Sequence, residues 1–288
     1  MSKLYGRPIT APPLSVRPYP YPRHLTDSNS EIAELWTVLN WISTRVTGPI
    51  HLVGYSGASF IVGRTAMEWP AMVGSLFLLA PAFPPWGLSD EPATPAPRLF
   101  GFPLKLQGKP ETVAAWDYDQ RLGAQRDPHI EDTVWKQIMK HDSVGADWGS
   151  QVEGVLRYPT RLWWGWNKAM VEGDHYLGSD VPVAIVYGTS DTQVITRGPD
   201  DRPLLDSSTA PQVEHSGPPF DCRWLYPAIQ GADKLMISID NTGHFMQWEK
   251  QRNVLHSYSQ QWIKNKSIDG QSKGSYHRDS SGNLVPVP

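Results

Sequence analysis

The sequence predicts an α/β fold: an open, mostly parallel sheet with flanking helices and a helical cap inserted into it. Three observations predict this. Short apolar, β-branched runs at residues 50–53, 73–80, 181–187 and 234–239 read as strands buried on both faces. Helical periodicity lies between the first two runs, so residues 50–80 form a strand, helix, strand unit whose strands run parallel. A chain of 288 residues that is 40% hydrophobic is long enough to bury a sizeable core around such a sheet.

Residues 7–23 are punctuated by prolines, each of which fixes its own backbone angle and disfavours helix before it, so an extended loop is expected. Ser28 followed by Glu31 has the form of a capping box, and Ile32, Leu35, Trp36, Leu39 and Ile42 then recur at helical spacing. This predicts a helix over residues 30–46, ended by Gly48-Pro49. A second helix should run over 57–69, after the first strand. Residues 83–175 carry helical periods at 112–122, 129–140, 151–158 and 162–171 but no strand-like one, which predicts a helical cap over the carboxyl edge of the sheet. Residues 195–220 read as a long loop, 246–264 as the last helix, and the polar stretch 267–288 as a disordered tail. The expected organisation is a core of residues 1–82 and 176–266, a cap of 83–175 and a tail of 267–288, with no internal repeat.

Charge and cysteine content exclude several functions. With 26 basic and 29 acidic side chains the net charge is −3, and no Lys/Arg run marks a face for nucleic acid or an anionic membrane. The single cysteine, Cys222, permits neither an intrachain disulfide nor a cysteine-based metal site. Asp174 with His175, and Asp200 with Asp201, are isolated loop pairs that make no coordination sphere, and no phosphate-binding glycine loop is present, so no metal or other cofactor is expected. The first 22 residues lack the apolar core of a secretory signal, and no window approaches the roughly 18 apolar residues of a membrane span. A cytoplasmic location follows as the expectation.

The stretch HLVGYSGASFIVG, residues 51–63, places Ser56 at the junction of a buried strand and the helix after it. Such a tight turn lifts the hydroxyl out of the sheet edge and needs small neighbours, which Gly54, Gly57 and Ala58 supply. The helix starting at Gly57 points its amino end at the site, so the Gly57 N–H can donate to a developing oxyanion. An alcohol needs a base. Of the nine histidines, only His244, in Asn241-Thr-Gly-His-Phe-Met, stands between a strand and a helix in the same way; His51, His129, His141, His175, His215 and His256 read as ordinary histidines. Residues just beyond the carboxyl ends of parallel strands share one crevice, so His244 and Ser56 can meet despite their separation in sequence. Asp191, in Tyr187-Gly-Thr-Ser-Asp-Thr-Gln-Val, follows the preceding strand and can orient the imidazole. Taken singly, Ser56 could be a helix cap and Asp191 a turn cap. Tyr55, Phe245 and the aromatic group Trp163, Trp164 and Trp166 are candidate substrate-binding residues, the tryptophans reading equally well as the cap's own core.

The order serine, acid, histidine is that of the α/β-hydrolase superfamily, and the chain resembles its esterase-like members with a helical cap. Gly54-Tyr55-Ser56-Gly57-Ala58 looks like the nucleophile elbow, with alanine in place of the last glycine. Gly188-Thr-Ser-Asp191 looks like the acid turn and Gly243-His244-Phe245 like the histidine loop. The resemblance implies a serine hydrolase acting on a carboxylic ester or lactone of a small, largely apolar substrate through an acyl-enzyme. Lyase or thioesterase chemistry on the same triad stays open. In such hydrolases, strands and a loop carrying a second oxyanion donor precede the nucleophile. Ser56 comes too early to fit them, and Leu4-Tyr5-Gly6-Arg7-Pro8 looks like the remnant of a turn that follows such a strand. The expectation is a hydrolase without its first strands, whose exposed sheet edge could pair with a second copy. The alternative is a catalytically silent relative, or a fragment, that binds a ligand or a partner.

Overall fold

The computed structural model describes residues 28–83, 104–119, 125–147, 153–159, 177, 180–194, 222–229 and 231–287. The first helix, α1 (Ser28–Ser43), leads into β1 (Ile50–Tyr55), and α2 (Ala58–Glu68) then returns the chain to β2 (Val73–Leu79). β1 and β2 pair in parallel with Leu52 opposite Leu76 and Gly54 opposite Leu78, as the strand, helix, strand reading requires. The segment inserted after β2 carries β3 (Leu104–Gln107), α3 (Lys109–Asp119), α4 (Ile130–His141), the short α5 (Ser143–Ala146) and β4 (Leu156–Pro159), and β5 (Val183–Gly188), α6 (Cys222–Ala228) and β6 (Lys234–Ile239) then return the chain to the sheet. The last elements are α7 (Arg252–Asn265), β7 (Gly274–Arg278) and β8 (Leu284–Pro286).

The main sheet has the order β1-β2-β5-β6-β7-β8, parallel from β1 to β7 and antiparallel only at β8. Leu76, Leu78, Val183, Ile185, Leu235 and Ile237 on its central strands are wholly buried, and Phe60 of α2 and Trp262 of α7 join the same core. Each such aliphatic side chain contributes about 1.5–3 kcal/mol of transfer free energy, which is what holds α2 and α7 to the sheet. Among the described residues β1 is an edge strand, and its Val53 is 51% exposed. No described helix is long and apolar enough to cross a membrane.

Three expectations need correction. Residues 267–287 are not a disordered tail: Ile268 is wholly buried, β7 adds to β6 with Ile237 opposite Tyr276, and β8 folds back on it. The turn between them is built by Asp279, whose Oδ1 accepts from the Asn283 N–H at 2.7 Å, with Gly282 at φ +91°. The stretch looks polar because every residue of β7 is only half-buried, so no apolar alternation marks it. Within the insertion, the described part of the helix expected over 151–158 is not helical, since β4 pairs antiparallel with β3. Four-residue strands are too short to display a period of two, and their partner lies some fifty positions away. The last helix begins at Arg252 rather than 246, after a single 3-10 turn over Met246–Trp248. The expected helix over 162–171, the loop over 195–220 and the proline-rich residues 7–23 lie outside the described residues.

Candidate active site

The strand-to-helix turn at Ser56 is strained. Ser56 has φ 52°, in the left-handed region that L residues with side chains avoid, and the surrounding backbone holds it there. Its N–H donates to the Leu79 carbonyl at 3.0 Å, and its carbonyl accepts from the N–H groups of Ser59 (3.0 Å) and Ala82 (3.1 Å). β1, β2 and the first turn of α2 thus fix the residue from three sides. Gly54 is required beneath it: a Cβ there would stand 2.7 Å from Ser59 Cα and 2.6 Å from a Val62 methyl. Gly57 caps α2 with helical φ and ψ, so its N–H belongs to the first turn, where the donors have no partner inside the helix.

Asp191 and His244 meet as a buried pair. Asp191 follows β5, and its Oδ1 accepts from the N–H groups of Gln193 (2.9 Å) and Val194 (3.1 Å), which orients the carboxylate. Its Oδ2 lies 2.9 Å from His244 Nδ1. An ionised carboxylate can only accept, so Nδ1 carries the proton and the neutral ring leaves Nε2 as its basic atom. The two residues are 1% and 3% exposed, so their interaction is little screened by water. The loops that carry them are bound together: the Ser190 N–H donates to the Thr242 carbonyl at 2.9 Å, and Gly188 lies so close to that carbonyl that a Cβ has no room.

The His244 ring also packs on Tyr55, with centroids 5.0 Å apart. Tyr55 immediately precedes Ser56, so the imidazole is seated beside the Ser56 turn, and Ser56, Asp191 and His244 gather at the carboxyl ends of β1, β5 and β6. Of the candidate substrate-binding residues, Tyr55 meets the imidazole at a tilt of 36°, and Phe245 meets it edge-on at 5.7 Å. Trp163, Trp164 and Trp166 lie outside the described residues, as do Asp174, His175, Asp200, Asp201 and residues 4–8.

Sequence reasoning missed two residues here. Glu249, five positions after His244, is wholly buried, and its Oε2 accepts from the Gly243 N–H at 2.8 Å. Trp116 of α3 donates from Nε1 to Glu249 Oε1 at 3.2 Å and packs against Phe245 and Trp248. An acid inside the run HFMQWEK was the available signal.

No protein-family profile and no curated protein matches the chain. Among solved structures, a monoacylglycerol lipase of Paleococcus ferrophilus is 16% identical, with a TM-score of 0.45 over 85% of this chain and 78% of the lipase. A meta-cleavage product hydrolase of Pseudomonas fluorescens is 12% identical, with a TM-score of 0.49 over 88% of this chain and 76% of the hydrolase. A 2-hydroxy-6-oxo-6-phenylhexa-2,4-dienoate hydrolase of a Rhodococcus strain is 14% identical, with a TM-score of 0.42 over 85% and 74%. The chain's own elements carry the assignment of fold: a mostly parallel sheet flanked by helices, a serine on a strained strand-to-helix turn, and an acid and a histidine after two later strands make this the α/β-hydrolase fold.

Proposed function

We propose that the protein is a serine hydrolase that cleaves a carboxylic ester or lactone of a small, largely apolar substrate. The observation that carries this reading is the buried His244 Nδ1 to Asp191 Oδ2 contact, set beside a serine held at positive φ. His244 Nε2 takes the Ser56 Oγ proton as Oγ bonds to the carbonyl carbon, and the displaced π electrons become the oxyanion. The Gly57 N–H stabilises that charge. Collapse of the intermediate breaks the carbon to alkoxide bond, and the leaving oxygen takes the proton from His244. Water then repeats both steps on the acyl-enzyme and frees Ser56. Asp191 holds the Nδ1–H tautomer and stabilises the imidazolium.

A fluorophosphonate probe tests this directly. The folded protein should be labelled once, at Ser56, and labelling should disappear in Ser56→Ala and fall by about 10³-fold or more in His244→Ala. A folded wild-type chain that takes no label overturns the reading and leaves a ligand-binding relative.

A further inference from the structure

We propose that Glu249 is a positioning residue that locks the histidine loop to the insertion, so that the seating of α3 sets the position of the catalytic imidazole. The proposal rests on the reading of His244 as the base. Glu249 sits between the 3-10 turn and α7 with no exposed surface. Both oxygens of its carboxylate accept, one from the backbone N–H of Gly243 and the other from the indole of Trp116. Gly243 is bonded directly to His244, so the first bond fixes the Thr242–Gly243 peptide, one residue ahead of the imidazole's own.

The second bond reaches across the molecule. Trp116 is 1% exposed and belongs to α3, inside the insertion, while Gly243 and Glu249 belong to the core. The indole also packs on Phe245 and Trp248, at 5.6 and 5.8 Å between centroids, and the Arg126 guanidinium lies over its ring at 5.2 Å. Neighbouring links run the same way: the Lys250 N–H donates to the Gln125 carbonyl at 2.8 Å, and Arg252 pairs with Asp127 at 2.8 Å. The insertion is therefore fastened to the segment following His244, and the fastening touches the loop itself at two places, the Trp116 to Phe245 ring contact and the Glu249 bond to the Gly243 backbone. A displacement of the loop of about 1 Å is enough to cost on the order of 100-fold in turnover.

Glutamine at 249 keeps the shape but offers one acceptor, so it can satisfy Gly243 or Trp116 but not both, and its amide N–H₂ must face an N–H. The test uses the full chain as wild type, Glu249→Gln, Trp116→Phe and the double variant. Measured for each are the fluorophosphonate labelling rate, kcat and KM on a p-nitrophenyl ester, and the low-field proton resonance of His244 Nδ1–H, identified by its loss in His244→Ala. Glu249→Gln should lower kcat and the labelling rate by about 10- to 100-fold with KM within about twofold, and move the His244 resonance. Trp116→Phe should do the same to a smaller degree, and the double variant should be no worse than Glu249→Gln alone. An unmoved His244 resonance with wild-type labelling in both single variants overturns the proposal. Independent, additive losses overturn the link to the insertion. If wild type takes no label, the hydrolase reading fails and the His244 resonance alone decides the role of Glu249. If Glu249→Gln does not fold, Trp116→Phe, which removes a donor and keeps the ring, decides it.

Discussion

Ser56 shows how a single residue carries both a chemical and a conformational demand. Its φ of 52° costs a side-chain-bearing residue on the order of 1 kcal/mol, which glycine escapes. Ser56→Gly should therefore be about 1 kcal/mol more stable to urea than Ser56→Ala, although both lack the hydroxyl. Equal stability, or an advantage for alanine, would contradict the strained turn. The strain was legible in the sequence only through its neighbours, because Gly54 and Gly57 announce a tight turn without saying which residue bears the positive angle. The acid and the histidine were legible for a related reason. Each stands just past a strongly apolar run, and the fold brings the ends of parallel strands to one edge. Glu249 was not legible, since nothing in a local pattern says that a glutamate in an aromatic run turns inward to hold a backbone N–H and an indole.

At the scale of elements, the strands that could be read were those buried on both faces. β2 and β5 sit in the middle of the sheet, their residues almost all buried, and both announce themselves as unbroken apolar runs. β7 is flanked by one neighbour on each side, exposes part of every residue and carries serine, histidine and arginine, so composition alone hides it. The same holds for β3 and β4, whose pairing joins segments far apart in the chain. The structure makes the stretch after α7 part of the core through Ile268, which has no exposed surface. Ile268→Ala should destabilise the protein by about 2–5 kcal/mol in urea unfolding, the cost of emptying a core site. A tail without structure would give no change.

For the whole molecule, stability against pH follows from groups whose protonation differs between folded and unfolded chains. His51 lies at the start of β1 with Nδ1 2.9 Å from Ser75 Oγ, and burial, reinforced by the charge of Lys266, holds its pKa below the ordinary 6.5. The folded ring stays neutral where the unfolded one takes a proton, so this contribution is whole above pH 6.5 and shrinks as pH falls, until the folded ring protonates as well. Asp132 and Asp279 act in a lower window. Lys109 donates to the first and Asn283 to the second, and both carboxyls are held below the ordinary 3.8. Their stabilisation is present above that value and disappears as pH falls through their folded pKa values. The urea midpoint should therefore fall in two stages on acidification, and His51→Gln should flatten the first, which begins below pH 6.5, while leaving the second as it was. An unchanged slope in that first window in His51→Gln would show that the ring at the start of β1 is as free to protonate in the folded chain as in the unfolded one.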